Sequence, residues 1–287
     1  MASTRRASRW ERWWRLLEAR DRRLVIARTL VVAVVIGYAL SYVLLAEPLS
    51  PTRRGMDAEA YWLAAERLRA GESLYLGGEG AEVYRYAPWF AWAWVLILDV
   101  PRDVVLTVLQ VALFAAIAWL TLPLLHSVAG VLAALIIVPQ VVEYAWVGNV
   151  DAFVLVALAL HGTRVGPFAV GIAASLKVAP LSFVLVYLAQ RQWLRAVLAA
   201  ATFVILWAPI FLYDVGAWAT TSPTPLSPFS ISPLVGIAVT AMVVVSAAVL
   251  AWRQPRHAPL AAAAIAMIAS PRLHLYNIGY LLSAARR

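Results

Sequence analysis

Hydrophobic residues occupy most of this chain in runs that recur from residue 24 onward. The first run, 24–45, is long enough to cross a bilayer, since a straight span takes about 20 apolar residues. The later runs are 87–99, 104–125, 128–146, 150–160, 166–176, 178–190, 194–213, 232–252, 258–270 and 275–284. We therefore expect an all-α integral membrane protein that crosses the bilayer many times.

A long polar interval, 56–90, follows the first run. Its apolar positions fall on one helix face at the spacing i, i+3, i+4, i+7: Tyr61, Ala64, Ala65 and Leu68. Gly71 breaks this helix, and Pro88 opens a tryptophan-rich apolar run. The interval predicts juxtamembrane helices within a first extracytoplasmic loop, 47–103, that lies along the membrane surface.

The basic residues indicate which runs cross. If all ten later runs were spans, the basic turns at 191–195 and 253–256 would lie outside, against the bias of Lys and Arg toward the cytoplasm. The run 87–99 is short and ends in a charged corner, so we assign it to the outer interface. This leaves about ten transmembrane helices, with both termini inside.

The composition excludes a soluble globular protein. Of 287 residues, 63% are hydrophobic and only 14% are charged. The mean hydropathy is +0.78, so too little polar surface exists to cover a core. No cysteine is present, which excludes disulfides, thiolate metal sites and cysteine nucleophiles.

The net charge of +9 favours membrane lipid over nucleic acid as a partner. Nine arginines lie in the first 28 residues, with Trp10, Trp13 and Trp14 interleaved among them. This pattern is typical of a helix that rests on anionic cytoplasmic lipid. We therefore expect residues 1–23 to form a cytoplasmic basic amphipathic arm and 24–287 to form a single transmembrane domain, with membrane lipids and no nucleic acid as partners.

The sparse charges beyond residue 103 indicate a site on the outer side. Only three acidic residues occur there, Glu143, Asp151 and Asp214, and the topology places all three outside. Lys177, the one lysine in the chain, and Arg272 are the basic exceptions on that side. A cation costs about 2.5 kcal/mol or more at the centre of a span, so we expect an outer anion as its partner.

Candidate site residues gather on this side in four groups: Asp57 with Tyr61, Tyr84 with Tyr86, Asn149 with Asp151, and Lys177 with Arg272 and His274. A carboxylate can take the proton of an attacking hydroxyl while cations neutralise a departing phosphate. Such a set fits glycosyl transfer from a lipid phosphate by inverting single displacement, with Asp57 as the general base. No metal-ligand spacing occurs, and we predict neither a metal nor a cofactor, although Asp57 with Asp151 or Glu143 could still assemble a cation site in space.

The same residues carry a resemblance. The ordered set D-x3-Y-x2-A-A, G-x2-L-Y, Y-x-Y-x-P, G-N-x-D, S-L-K-x-x-P and S-P-x-x-H, from Asp57 to His274, resembles glycosyltransferase family 87. The resemblance implies a polytopic GT-C-like fold, with 24–287 as the catalytic domain and the active site at the extracytoplasmic face of the cell membrane. It also implies a hexosyltransferase that moves mannose from a polyprenyl-phosphate-linked sugar donor to a lipid or glycan acceptor.

Matched position by position, Asp57 corresponds to the acidic residue taken as the catalytic base in such enzymes. Lys177 corresponds to the lysine of the K-x-x-P turn, and His274 to the histidine after the S-P pair. From the resemblance and the positions of the charged and aromatic residues together, we predict catalytic roles for Asp57 and His274 and substrate binding by the other candidates: Tyr61, Tyr84, Tyr86, Asn149, Asp151, Lys177 and Arg272. This chain has Y-A-P where many members have Y-P-P, and G-N-V-D where they have G-Q-x-N, a change that bears on the choice of sugar.

Other interpretations stay open. Asp57 stands where a helix N-cap would, and Lys177 could snorkel to headgroups. Tyr84, Tyr86 and the tryptophans of 89–94 could belong to an interfacial aromatic belt. Weak periodicity, in helix pairs about 30 residues long, also fits a polytopic transporter or flippase for a lipid-linked or anionic substrate. A non-catalytic lipid-binding or scaffold protein is a third alternative. The polar groups gather at one interface rather than at the midplane, which favours the enzyme.

Overall fold

The computed structural model describes residues 53–75, 83–214, 223–269 and 275–285. In these ranges the regular structure is helical, without strands, so the all-α class is confirmed there. The helices are α1 (Met56–Ala70), α2 (Pro88–Val95), α3 (Arg102–Thr121), α4 (Val128–Val147), α5 (Asp151–Ala159), α6 (Gly166–Leu176), α7 (Val184–Ala189), α8 (Trp193–Trp207), α9 (Pro233–Arg253), α10 (Ala258–Ile268) and α11 (Tyr280–Ala285). Short 3₁₀ segments adjoin them: Leu122–His126, Ala179–Phe183, Ala208–Leu212, Pro228–Ser230, Pro255–His257 and Leu275–Gly279.

Three described helices are long and apolar enough to cross a membrane: Arg102–His126, Trp193–Leu212 and Pro233–Arg253. Their outward surfaces are apolar; Val108, Ile205 and Leu234 are 64%, 70% and 79% exposed. Apolar patches of this kind on span-length helices suit lipid rather than water. By length and composition the chain is a membrane protein, whereas the ten-span count and the sidedness stay predictions. The first expected span, 24–45, and the arm 1–23 lie outside the described residues.

The helix boundaries follow the predicted apolar runs closely, but several helices are short. The run 166–176 coincides with α6, and the run 150–160 with α5. With nine residues, α5 is about 14 Å long at a rise of 1.5 Å per residue. The hydrocarbon core of a bilayer is about 30 Å thick, so α5 does not cross it alone.

Two helices form within the interval for which juxtamembrane helices are predicted, whereas their position at the membrane surface stays a prediction. The apolar face expected in α1 is the buried one, with Tyr61, Ala64 and Ala65 fully enclosed and Leu68 packed against the same core. Gly71 ends α1 in the left-handed conformation, with its N–H directed at the carbonyls of Arg67 and Leu68. The following helix, α2, packs against α1. Its eight residues extend only about 12 Å, and the assignment of 87–99 to the outer interface stays a prediction.

The described helices share one main core, in which α6 packs between α5 and α8. At one end of this group Arg195, at the start of α8, donates to the carbonyls of His161 and Thr163, just beyond α5. The opposite end of α5 begins at Asp151, where the break after α4 meets α1 and the end of α6. Basic loops and candidate site residues therefore occupy opposite ends of α5.

Candidate functional site

The first turn of α1 is fixed against the end of α4. The N–H of Gly55 donates to the carbonyl of Trp146 at 2.9 Å, and Arg53 forms an ion pair with Glu143 at 2.8 Å. Gly148, with φ of 73°, ends α4. A Cβ at Gly148 would lie 2.8 Å from the Cβ of Ala58, so only glycine permits this approach. The turn of α1 that carries Asp57 is thereby held beside the break between α4 and α5.

A chain of polar contacts runs from this turn to the end of α6. The Asn149 amide donates to Oδ2 of Asp57 at 2.6 Å. Its oxygen accepts the N–H of Asp151 at 2.9 Å, which fixes which end of the amide faces Asp57. The carboxylate of Asp151 in turn binds Lys177, whose Nζ lies 2.6 and 2.7 Å from the two oxygens. Asp57, Asn149, Asp151 and Lys177, here called the polar cluster, therefore form one continuous network.

Two tyrosines close one side of this network. The hydroxyl of Tyr61 accepts the N–H of Val150 at 3.3 Å and donates to the hydroxyl of Tyr86 at 3.1 Å. Their rings meet edge to face with centroids 5.1 Å apart. Burial raises the pKa of both hydroxyls well above the ordinary value, so both keep their protons at neutral pH.

The electrostatics single out Asp57 within the polar cluster. Burial raises the pKa of this carboxyl above its usual 3.8, and the nearby charges of Asp151 and Glu143 act in the same direction. The positive charge of Lys177 and the hydrogen bond from Asn149 oppose the shift without cancelling it. Asp151 differs because it is paired directly with Lys177. Asp57 is thus the carboxylate of this site that takes up a proton more readily than a carboxylate in water.

The structure brings together six of the sequence-predicted residues: Asp57, Tyr61, Tyr86, Asn149, Asp151 and Lys177. Tyr84 is placed differently, because its hydroxyl donates to the carbonyl of Ala87 at 2.7 Å and its ring stacks on Tyr75. It supports the turn before α2 rather than facing the polar cluster. Arg272 and His274 lie outside the described residues.

The alternative interpretation of Asp57 as a helix N-cap is wrong. Gly55 occupies the N-cap position, and Asp57 is the second residue of α1. The Asp57 carboxylate instead accepts from Asn149, on another element. Helix capping therefore does not account for an acidic residue at this position.

Sequence reasoning did not find Ser175, which lies two residues before Lys177. This side chain is fully buried, and its hydroxyl accepts the indole N–H of Trp89 at 3.0 Å. The only sequence signal was its place in the S-L-K pattern. The bond to α2 depends on packing between elements 86 positions apart.

On the face of α1 that carries Ala58, Glu59 and Trp62 lies a small groove of about 30 Å³, also lined by Arg54, Gly55, Trp94, Arg102, Val105 and Leu106. Arg102 forms an ion pair with Glu59 within it. The described part of the chain contains no group of three or more potential metal ligands. Comparison of the chain with protein-family models, with curated proteins and with solved structures finds no match.

Proposed function

We propose that the chain is a membrane glycosyltransferase that moves a hexose from a polyprenyl-phosphate-linked donor to a lipid or glycan acceptor. The observation that carries the proposal is the state of Asp57. Its carboxylate has a raised pKa and, within the described ranges, accepts a side-chain hydrogen bond from Asn149 alone. Among the described residues no Arg or Lys forms an ion pair with it. A carboxylate in this state is a stronger base than one in water or in an ion pair.

In the proposed reaction a hydroxyl oxygen of the acceptor attacks the anomeric carbon of the donor. Asp57 takes the hydroxyl proton as the new carbon–oxygen bond forms. The bond from the anomeric carbon to the phosphate oxygen breaks, and the phosphate leaves with the bonding electron pair. Because a phosphate is stable as an anion, its departure needs no proton, and one displacement inverts the anomeric centre.

Lys177 supplies positive charge for the departing phosphate in this proposal. Its ammonium carries three donors, and its side chain stays 30% exposed while paired with Asp151, which is 5% exposed. Asp151 therefore orients the cation and leaves part of it accessible. Arg272 and His274 remain proposed members of the same site on the strength of the resemblance, which also favours mannose as the sugar.

The experiment that tests the function is a transfer assay with the full chain in lipid vesicles. Radiolabelled polyprenyl-phosphate mannose, glucose and arabinofuranose are supplied separately, together with a glycolipid acceptor fraction. We expect label to move from the mannose donor into acceptor, with release of polyprenyl phosphate. Absence of transfer from all three donors, while the protein stays folded, would overturn the proposal.

A second candidate function, transport of a lipid-linked or anionic substrate, is favoured by one observation. The ion pair between buried Asp151 and partly exposed Lys177, beside a protonatable Asp57, is also an arrangement that carriers use. Against it, Asp57 lies on α1, which is not among the three helices suited to span a membrane. The vesicle assay distinguishes the two functions, since a transporter moves the donor across the bilayer with its sugar still attached.

A further inference from the structure

Three elements converge on Ser175, in the last turn of α6. Its hydroxyl donates to the carbonyl of Ile172 at 2.8 Å and accepts the indole N–H of Trp89, from α2, at 3.0 Å. Its carbonyl accepts the indole N–H of Trp207, from α8, at 2.9 Å. The last carbonyls of a helix have no partner inside it, so Trp207 satisfies one of the groups that α6 leaves open.

Lys177 is the first residue after the end of α6. The N–H of Lys177 still donates to the carbonyl of Ala173 at 3.0 Å, but its backbone is extended, with φ of −141° and ψ of 130°. Lys177 is therefore the residue at which the chain leaves the helix. The turn that contains Ser175 therefore directly precedes the residue whose ammonium pairs with Asp151.

We infer that Trp89 and Ser175 are positioning residues for Lys177, which hold the end of α6 so that the ammonium stays beside Asp151 and Asp57. The inference rests on the proposed function for its catalytic meaning and deepens it. The indole N–H of Trp89 points inward to a fully buried hydroxyl, not outward to lipid headgroups. The aromatic-belt interpretation therefore does not describe this tryptophan, although it lies in the expected interfacial helix.

Trp92, on the same helix, provides a matched control. Its indole N–H donates to the hydroxyl of Tyr213 at 2.8 Å, away from α6. Trp89→Phe and Trp92→Phe thus make the same chemical change at positions three residues apart. Ser175→Ala removes the hydroxyl that accepts the indole N–H of Trp89. It leaves the hydrogen bond from Trp207 to the backbone carbonyl in place.

The first measurement does not depend on activity. Lys177 is the only lysine, so after the full chain has reacted with an amine-reactive reagent, mass spectrometry of the proteolytic peptide that contains Lys177 reports this one side chain, separately from the N-terminal amine. We expect Trp89→Phe and Ser175→Ala to raise the labelling rate roughly fivefold, the effect of about one buried hydrogen bond, and Trp92→Phe to leave it unchanged. The double variant should match the single ones, because both remove the same bond.

The second measurement is the acidic limb of the pH–rate profile for sugar transfer. In the part of the chain that the structure describes, the charged groups that act on Asp57 are Lys177, Asp151 and Glu143, and Lys177 lowers its pKa. Displacement of the Lys177 ammonium should therefore raise the pKa of Asp57 and move the acidic limb of the pH–rate profile to higher pH. We expect this shift in Trp89→Phe and Ser175→Ala but not in Trp92→Phe.

The inference would be overturned if Lys177 were labelled at the wild-type rate in both Trp89→Phe and Ser175→Ala and the acidic limb of the pH–rate profile did not move in either variant. The same holds if Trp92→Phe changed labelling as much as Trp89→Phe. If the wild-type chain transferred no sugar, the proposed function would fail while labelling would still decide whether Trp89 and Ser175 hold Lys177.

Discussion

The side-chain amide of Asn149 donates to Oδ2 of Asp57 over 2.6 Å, although 92 positions separate the two residues. The contact joins the first turn of α1 to the break between α4 and α5. Because Asn149 also accepts the N–H of Asp151, its amide cannot flip without losing both bonds. Asn149, in one of the two motifs that differ from the pattern the sequence resembles, is thus in direct contact with the proposed base.

Asp57→Asn should make the protein more stable at neutral pH. The folded state raises the pKa of Asp57 above the usual 3.8, so it binds the proton more tightly than the unfolded chain. By linkage, this group's contribution to stability is largest below the unfolded pKa and falls as pH rises through the folded one. Asparagine cannot ionise, and its oxygen can still accept from Asn149.

Thermal unfolding in detergent micelles from pH 4 to pH 8 measures this effect. We expect the variant to unfold at a higher temperature than wild type at pH 7, with the difference shrinking as the pH approaches about 4. A variant less stable than wild type at pH 7 would show that the ionised carboxylate stabilises the fold.

Replacing Lys177 alone should lower the free energy of unfolding more than replacing both Lys177 and Asp151 with uncharged residues. In Lys177→Met the carboxylate of Asp151, 5% exposed in its side chain, keeps a charge with no partner. Breaking such a pair costs about 3 kcal/mol, whereas neutralising both partners is close to neutral. The free energy of unfolding should therefore drop in Lys177→Met and recover in Lys177→Met with Asp151→Asn. A double variant no more stable than the single one would contradict this pairing.

Gly148→Ala should disturb the site, and Gly71→Ala is its matched control. Both glycines have φ of 73°, so both substitutions carry the same backbone strain, about 1 kcal/mol. A Cβ at Gly148 also meets Ala58 at 2.8 Å, whereas nothing lies within 4 Å of one at Gly71. Transfer activity should fall in Gly148→Ala beyond its loss of stability and stay near wild type in Gly71→Ala. Equal activities in the two variants would mean that contact between α1 and the α4–α5 break does not set the geometry of Asp57.

The local structure could be predicted because it depends on neighbours along the chain. Apolar runs bounded by Gly, Pro and charged turns gave α6 at its observed boundaries, and the helical spacing gave the buried face of α1. The expectation that Lys177 has an anionic partner followed from the cost of placing a cation near lipid. Residue type and spacing alone are enough to predict these features.

The contacts between elements could not be predicted in the same way. Three carboxylates beyond residue 103 are predicted on the outer side, and the packing of α5 against α6 decides which of them pairs with Lys177. In the structure the partner is Asp151. The N-cap interpretation of Asp57 failed because the N–H of Gly55 is taken by Trp146, from α4, which sets the start of α1. Nothing in the spacing of Trp89 and Ser175 indicated that they meet.

The most direct test of the account compares sugar transfer by wild type, Asp57→Asn and Asp99→Asn in the same vesicles. Asp99 is a matched carboxylate, because it lies in the same expected outer loop and is 95% exposed in its ion pair with Arg69. We predict that Asp57→Asn lowers the transfer rate by about 10²–10⁴-fold, as expected for loss of a general base, while folded protein is retained. Asp99→Asn should transfer at the wild-type rate. Transfer by folded Asp57→Asn at the wild-type rate would contradict the assignment of Asp57 as the base.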